Sequence, residues 1–396
     1  MNNIGSAKPR WRLAIAVLTA CFAVSVSVST PTLAAIAIAP APTLDNTAYV
    51  VMDFESGRIL SQVNAEQALP PASLTKMMTS YIVEQALKAG RLKPTDMVSV
   101  SENAWCRGTN AESCMYLPVH GSATVIDILR GIIVQSGNDA SKAIAEHMAG
   151  SEASFAVLMN KEAQRLGMKN TYFANATGLP DPKHRASAHD LALLARAIIR
   201  DSSDYYKIYS EKEFKYNGIK QGNRNALLYT DSSVDGLKTG HTAEAGFCLT
   251  ASSKRNDMRL ISVIMGAKSM QARADQTRAL FNWGFGSFED VRPVAANVSL
   301  ATPKVRFGKV DLVNVGLTAP MVATIPRGQA ANVKTDIQIT PGITAPIAKG
   351  AVLGKVVISL DGQSYGEQEL VALEPVDQAG FFKRLWQRIA EFFSSK

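Results

Sequence analysis

Three short motifs hold the residues of this chain that are best suited to act together in a reaction. In chain order they are Ser73-Leu74-Thr75-Lys76, Ser136-Gly137-Asn138 and Lys238-Thr239-Gly240. A serine hydroxyl is a poor nucleophile until a base takes its proton, and on a helix Lys76 lies one turn after Ser73. Alone, the first motif is also typical of a helix N-cap followed by a surface lysine. The ordered set of three predicts acyl transfer through Ser73.

The middle motif and the lysine of the third complete the predicted proton chemistry. Lys76 can act as a base only if its pKa is lowered, which burial or a second cation such as Lys238 would do. Ser136 is suited to pass a proton toward the leaving group, and the Asn138 amide to hold Lys76 and a substrate carbonyl. The predicted catalytic residues are therefore Ser73, Lys76, Ser136, Asn138 and Lys238.

The third motif is suited to bind substrate along the edge of a sheet. Lys238 supplies a positive charge, Thr239 a hydroxyl and Gly240 an uncrowded backbone, which together fit an extended peptide that ends in a carboxylate. The backbone N–H groups of Ser73 and His241 are expected to form an oxyanion hole. These features predict a peptide-like substrate.

The chain resembles the low-molecular-mass penicillin-binding proteins that are D-alanyl-D-alanine carboxypeptidases, in residues 71–79, 135–140 and 234–242. The resemblance implies a serine peptidase that removes the terminal D-alanine from peptidoglycan pentapeptide stems through an acyl-enzyme. It also implies that β-lactams acylate the serine as substrate mimics. Two further substrate-binding residues, Arg224 and Arg273, are implied near the substrate carboxylate, with surface salt bridging as the alternative.

Two other functions compete with this interpretation. A β-lactamase shares the acylation residues, but the all-β domain and the amphipathic helix predicted after residue 290 disfavour it. A non-catalytic scaffold that binds the cell wall is an alternative of another class, and the presence of every catalytic residue type disfavours it. No metal or cofactor is predicted, because His184 and His189 lack a matching ligand motif.

Hydrophobic periodicity predicts the elements that position the motifs. Residues 49–54 and 58–62 read as a hairpin, and residues 73–90 as a buried helix that Ser73 opens. Helices and strands together predict an α+β fold in which helices surround an antiparallel sheet. Further helices are predicted at residues 125–134, 140–148, 155–166 and 190–199, and strands at residues 246–251 and 259–265.

The position of the middle motif between two predicted helices distinguishes it from a second Ser-x-Asn sequence. Ser101-Glu102-Asn103 follows a strand-like segment and is typical of an ordinary turn. We therefore expect Ser136 in the active site. The whole predicted penicillin-binding, β-lactamase-like transpeptidase domain spans residues 40–290.

Two segments of different character follow this domain. Residues 291–376 alternate short Val, Ile and Thr runs with Pro and Gly, which predicts a small all-β domain with a hairpin at residues 352–371. Residues 378–396 form an amphipathic helix with a basic face, suited to lie in a membrane interface. Docking of that helix on the protein's own core is the alternative, and a homodimer through the tail stays open.

The N-terminus predicts export. Lys8, Arg10 and Arg12 precede an uncharged apolar run and an Ala-rich end, which is typical of a cleaved signal peptide over residues 1–35, with an uncleaved membrane helix as the alternative. Removal of these three cations lowers the formal charge from +8 to +5. The remaining basic residues form no cluster with interleaved aromatic residues, so nucleic acid is not expected as a binding partner. The expected location is the periplasmic side of the bacterial inner membrane, as a peripheral protein.

Three cysteines remain after the predicted cleavage. In an oxidising compartment Cys106 and Cys114 are close enough in sequence to close a small loop, and we expect them to be bonded. Cys248 lies in an apolar run and is expected to be a buried free thiol. The cysteine pair departs from the family pattern, in a loop that the family places near the rim of the active site.

Overall fold

The structure is a computed structural model that describes residues 38–106 and 112–394. The predicted signal peptide, residues 1–35, lies outside the described residues, as do residues 107–111 and the last two residues of the tail.

Strands and helices alternate through the first part of the chain, and strands dominate after residue 288. The strands are β1 (Ala48–Asp53), β2 (Ile59–Val63), β3 (Met97–Ser99), β4 (Ser122–Thr124), β5 (Glu213–Tyr216), β6 (Ile219–Gly222), β7 (Val234–Thr242), β8 (Gly246–Arg255), β9 (Met258–Ala267), β10 (Phe288–Val294), β11 (Val315–Gly316), β12 (Met321–Pro326), β13 (Lys334–Ile339), β14 (Val352–Leu360) and β15 (Gln363–Ala372). The helices are α1 (Lys76–Lys88), α2 (Val125–Ile133), α3 (Asn138–Ala149), α4 (Glu152–Arg165), α5 (Ala188–Asp201), α6 (Ser203–Tyr206), α7 (Leu227–Thr230), α8 (Met270–Ser287) and α9 (Phe381–Ser394).

A five-stranded antiparallel sheet forms the centre of the first domain, in the order β2-β1-β9-β8-β7. Its middle strands are buried on both faces, because α5 packs on one side of β9 and α8 on the other. The strand β7, which carries the third motif, lies at the edge of this sheet. The α+β fold is confirmed, and the sheet leaves one edge open toward the first two motifs.

The other two motifs lie at the starts of α1 and α3. The side chain of Thr124 caps α2, that of Ser187 caps α5 by accepting from the Asp190 N–H, and Gly150 ends α3 with φ of 78°. Ser73 lies one turn before α1, in a 3-10 turn over Ala72–Thr75, so the predicted buried helix begins three residues later than expected. The middle motif connects α2 to α3, as predicted.

Helix α8 is the main element that the sequence pattern did not predict. Its 18 residues pack on β8 and β9 and bury Leu280 and Phe281. The second Ser-x-Asn sequence lies away from the cleft, where Ser101 Oγ and Asn103 Nδ2 donate to the two carboxylate oxygens of Glu146 at 2.7 and 2.8 Å. Its interpretation as an ordinary turn is confirmed.

The second domain has its own apolar core and is built from strands. β10 pairs with β12, and a four-stranded sheet has the order β11-β15-β14-β13. The predicted hairpin is β14 and β15, with Asp361 and Gly362 in the turn at φ of 50° and 78°. Val356, Ile358 and Leu370 lie in its buried core.

The C-terminal helix α9 contacts this second domain through its polar face. Its largest apolar side chains point away: Phe382 is 84% exposed and Trp386 is 72% exposed. No helix of the described residues is long and apolar enough to cross a membrane. The polar contacts of α9 include those of Gln387 with the Phe307 N–H, Lys383 with Asp311, and Arg306 with Glu391.

The cysteines are arranged as expected. Cys106 and Cys114 form a disulfide with their Cα atoms 6.0 Å apart. Cys248 is a buried free thiol on β8.

Candidate active site

The first motif brings a serine and a buried lysine together. Lys76 Nζ lies 3.0 Å from Ser73 Oγ and donates to the backbone oxygen of Thr177 at 2.6 Å. The Lys76 side chain is fully buried. Ala72 takes a positive φ of 47°, and its carbonyl oxygen accepts from Thr75 Oγ1 at 2.8 Å. This tight turn places Ser73 beside Lys76 before the regular helix begins.

A loop around Thr177 closes one side of the pair, although no motif in the sequence indicated it. Asn175 Oδ1 accepts from the N–H groups of Thr177 and Gly178, at 3.1 and 2.7 Å. Gly178 has φ of 84°, and a Cβ at this position would overlap the carbonyl oxygen of Ala72. Only glycine allows the loop to come this close.

The predicted residues of the other two motifs form a second serine–lysine pair. Lys238 Nζ donates to Ser136 Oγ at 2.9 Å, and Ser136 is held at a positive φ of 61°. Lys238 is 3% exposed. Among the described residues the Asn138 amide forms no hydrogen bond with Lys76, and it donates to Glu112 Oε2 at 3.0 Å. Glu112 is a residue of the cleft that the sequence pattern did not identify.

Burial controls the ionisation of both lysines. Burial, with a smaller contribution from the positive charge of Arg224, lowers the pKa of Lys76 to about 7. Burial, followed by the charge of Lys76, lowers the pKa of Lys238 well below its ordinary value. An amine with a pKa near neutrality can accept a proton from a hydroxyl at physiological pH.

The edge strand β7 forms the opposite wall of the cleft, close to the serine. A Cβ at Gly240 would lie 3.0 Å from the Pro71 carbonyl oxygen and 3.2 Å from the Ser73 nitrogen, so a larger residue would crowd the nucleophile. Thr239 lines the cleft. His241 also lines it, and its ring stacks on Phe247 with the centroids 4.1 Å apart.

Both arginines implied by the family resemblance line the cleft. Arg273, from α8, is 5% exposed and donates through Nη1 to the carbonyl oxygens of Gly240 and Cys248, at 3.1 and 3.3 Å. Burial lowers the pKa of Arg273 to about 10. Arg224 Nη1 donates to Ser113 Oγ at 2.5 Å. Neither guanidinium forms a salt bridge with a carboxylate of the described residues, and both side chains line a cleft of about 720 Å³.

One cluster of potential metal ligands exists among the described residues, outside the cleft. Glu66, His189 and Asp190 place their ligand atoms within 4.8 Å of one another. Existing contacts already occupy these atoms: His189 Nδ1 lies 2.9 Å from Glu66 Oε1, and Asp190 Oδ2 accepts from the Asn170 N–H at 2.7 Å. The reaction geometry of the cleft does not involve this cluster.

The arrangement of two serines, two buried lysines and an open strand edge can support acyl transfer from a peptide to Ser73. Residues 35–269 match the family model described as D-alanyl-D-alanine carboxypeptidase, and residues 288–378 match the penicillin-binding protein 5 C-terminal domain. The chain belongs to the D-alanyl-D-alanine carboxypeptidase family of serine hydrolases, peptidase family S11.

Individual relatives agree with this assignment. The chain is similar to D-alanyl-D-alanine carboxypeptidase DacC of Escherichia coli (strain K12), with 45% identity over 87% of this chain and 88% of that protein. The crystal structure of penicillin-binding protein 5 from Haemophilus influenzae matches with a TM-score of 0.82 and 43% identity, over 86% of this chain and all of that one. Penicillin-binding protein D2 from Listeria monocytogenes in its ampicillin-bound form matches with a TM-score of 0.57 and 29% identity, over 62% of this chain and all of that one.

Proposed function

We propose that this enzyme removes the terminal D-alanine from peptidoglycan pentapeptide stems through an acyl-enzyme on Ser73. The single observation that carries the proposal is the 3.0 Å contact between Ser73 Oγ and the buried amine of Lys76. Because the pKa of Lys76 is lowered to about 7, a large neutral fraction is available to take the serine proton. Ser73 Oγ then bonds to the substrate carbonyl carbon, and the bond to the D-alanine nitrogen breaks.

The second serine–lysine pair is assigned to the leaving group. Ser136, bonded to Lys238, relays the proton from Lys76 to the departing amine, so that D-alanine leaves neutral at nitrogen. The Asn138 amide orients the acyl part of the substrate. Water then hydrolyses the acyl-enzyme ester and restores Ser73.

Substrate binding is assigned to the edge strand and the two arginines. The stem peptide adds alongside β7 as an extended strand, and Gly240 leaves room for it beside Ser73. Thr239 and His241 lie along the same edge. Arg224 and Arg273 provide the positive potential for the terminal carboxylate. The N–H groups of Ser73 and His241 are proposed as the oxyanion hole.

The same residues support acylation by β-lactams as substrate mimics. Penicillin-binding protein D2 from Listeria monocytogenes, to which this chain is similar, was solved in an ampicillin-bound form, which supports this extension. Labelled penicillin combined with D-alanine release distinguishes the competing functions. A carboxypeptidase labels stably and releases D-alanine from pentapeptide, a β-lactamase turns penicillin over rapidly, and a scaffold does neither. Comparing the pentapeptide with a cross-linked dimer measures carboxypeptidase against endopeptidase action.

The exposed face of α9 supports a peripheral membrane location. Its polar face is already bonded to the second domain, and large aromatic side chains remain outside. We propose that these side chains enter the interface of an anionic bilayer, after export and removal of residues 1–35. The proposed mature protein therefore acts on the periplasmic side of the inner membrane. Flotation with vesicles tests the binding, and N-terminal sequencing of exported protein tests the cleavage.

A further inference from the structure

We propose that Glu112 is a positioning residue for this reaction: it orients the Asn138 amide and places a negative charge facing Lys76, and the Cys106–Cys114 disulfide holds Glu112 in this position. The inference rests on the proposed function. It assigns a role to a residue outside the three motifs and to the Cys106–Cys114 disulfide.

The contacts of Asn138 show how closely this segment is joined to the active site. Asn138 is 4% exposed, and both of its donor groups reach the segment next to the disulfide. Its side-chain amide donates to Glu112 Oε2 at 3.0 Å, and its backbone N–H donates to the Ser113 carbonyl oxygen at 2.7 Å. Glu112 lines the same cleft as Ser73. Movement of Glu112 would therefore release the amide of a proposed catalytic residue.

The segment that carries Glu112 is fixed on its C-terminal side. The N–H groups of Met115 and Leu117 donate to the two carboxylate oxygens of the buried Asp139, at 2.8 and 3.0 Å. Gln221 Nε2 donates to the Cys114 carbonyl oxygen at 3.0 Å. The disulfide joins this anchored end to Cys106, which is 5% exposed. Glu112 thus lies two residues from a covalent anchor.

The charge of Glu112 acts on the proposed base. Burial and Arg224 lower the pKa of Lys76, whereas the negative charge of Glu112 opposes them and raises it. Removal of that charge should lower the pKa of Lys76 further. Other charged or titratable groups that face Lys76 are Asp139 and Glu152, which also raise its pKa, and Lys238 and His184.

The test compares Glu112→Gln with Glu112→Ala in D-alanine release from a pentapeptide between pH 5 and 9. Glutamine keeps an oxygen that accepts from Asn138, so kcat/KM on the plateau should stay within about twofold of wild type. The acidic limb should move to lower pH by about 0.5 unit, because the charge is lost. Alanine loses both features, so the same shift should accompany a plateau loss of about tenfold.

Glu102→Gln is the matched control. Glu102 lies four residues before the bonded Cys106, but its carboxylate pairs with His120 at 3.6 Å and is absent from the cleft lining. This variant should reproduce the wild-type pH profile. The Cys106→Ser/Cys114→Ser double variant should move the limb in the same direction as Glu112→Gln and lower the plateau. Wild type treated with a reductant should do the same.

The thermal unfolding midpoints of all variants distinguish a variant that has lost its fold from one in which only the positioning of Asn138 by Glu112 is lost. An active wild type whose pH profile superimposes on that of a folded Glu112→Gln variant overturns the inference alone. A wild type that releases no D-alanine overturns the proposed function and the inference with it.

Discussion

Helix α1 buries a lysine and a glutamate side chain, whereas helix α9 exposes several large apolar ones. Lys76 and Glu84 on α1 are both completely buried, and the aromatic residues Phe382 and Trp386 on α9 are largely exposed. Each arrangement costs stability relative to the ordinary distribution of polar and apolar residues. In α1 the burial changes how the groups ionise, and in α9 the exposure leaves an apolar face for another surface.

The desolvation of ionisable side chains on α1 is not confined to the catalytic end of the helix, because Glu84 is also buried. Glu84 Oε1 accepts from the Tyr209 hydroxyl at 2.9 Å, and Tyr209 in turn bonds to Ser80 at 2.7 Å. Ser80 Oγ donates to the Lys76 carbonyl oxygen at 2.9 Å. Burial raises the pKa of Glu84 to about 7. Desolvation thus raises the pKa of the acid Glu84 and lowers the pKa of the amine Lys76, and both values come to about 7.

The largest expected effect is at the nucleophile next to α1. Ser73→Ala should lower D-alanine release by at least about 10⁴-fold and abolish covalent penicillin labelling, because no other hydroxyl contacts Lys76 Nζ among the described contacts. The thermal midpoint should stay within a few degrees of wild type. Covalent labelling of the alanine variant would show that another residue is the nucleophile.

The second effect concerns α9. Ending the chain at Gly380 should lower binding to anionic vesicles by about 100-fold or more, while activity of the purified enzyme is retained. Gly380 is the last residue so that Ala379 is retained, because Ala379 is buried and its N–H donates to the Phe307 carbonyl oxygen at 2.8 Å. Vesicle flotation measures the binding. A truncated protein that still floats with the vesicles, or that unfolds, would show that α9 is a structural part of the folded protein and not its membrane anchor.

A smaller effect is expected from Glu84→Gln. The folded pKa of Glu84 is raised from 4.5 to about 7, so its contribution to stability is fully present below about pH 4.5 and is lost as pH rises through 7. Glutamine cannot ionise and keeps an acceptor for Tyr209. The variant should therefore be more stable than wild type by about 2 to 3 kcal/mol at pH 8 and similar to it at pH 4.5. Urea unfolding at both pH values tests this, and an equal difference at both would contradict it.

The smallest effect is the pH dependence of wild type itself. Because the neutral amine of Lys76 is the proposed base and its pKa is about 7, kcat/KM should fall about tenfold per pH unit below 7. Stopped assays of D-alanine release across pH 5 to 9 give the profile. An acidic limb centred near 10 would mean that burial does not lower the pKa of this amine.

The sequence predicted most elements whose apolar residues recur regularly, including α1 to α5, the hairpin of β14 and β15, and the tail helix. It did not predict α8, because the buried Leu280, Phe281 and Phe285 crowd into its C-terminal half and Gly284 and Gly286 interrupt it. Packing on β8 and β9 stabilises this helix, and such tertiary contacts are not visible in a local pattern.

The three motifs located the candidate site, but two of its contacts had no local signal. Thr177 contributes its backbone oxygen to Lys76, and any residue type carries that atom. Glu112 reaches Asn138 only because the segment folds back on Asp139 and the disulfide. Motif spacing identifies side-chain chemistry, whereas these contacts depend on how distant segments meet.

The contacts of α9 with the second domain also remove a degree of freedom. A helix joined to its protein by a flexible linker can roll about its own axis, whereas Gln387 and the Arg306–Glu391 pair fix the rotation of α9 relative to the β-strands. A surface that binds the apolar face of α9 consequently also fixes the orientation of the β-strands relative to that surface. Attachment through this helix would therefore determine the orientation of the whole enzyme on the surface, in addition to its affinity for that surface.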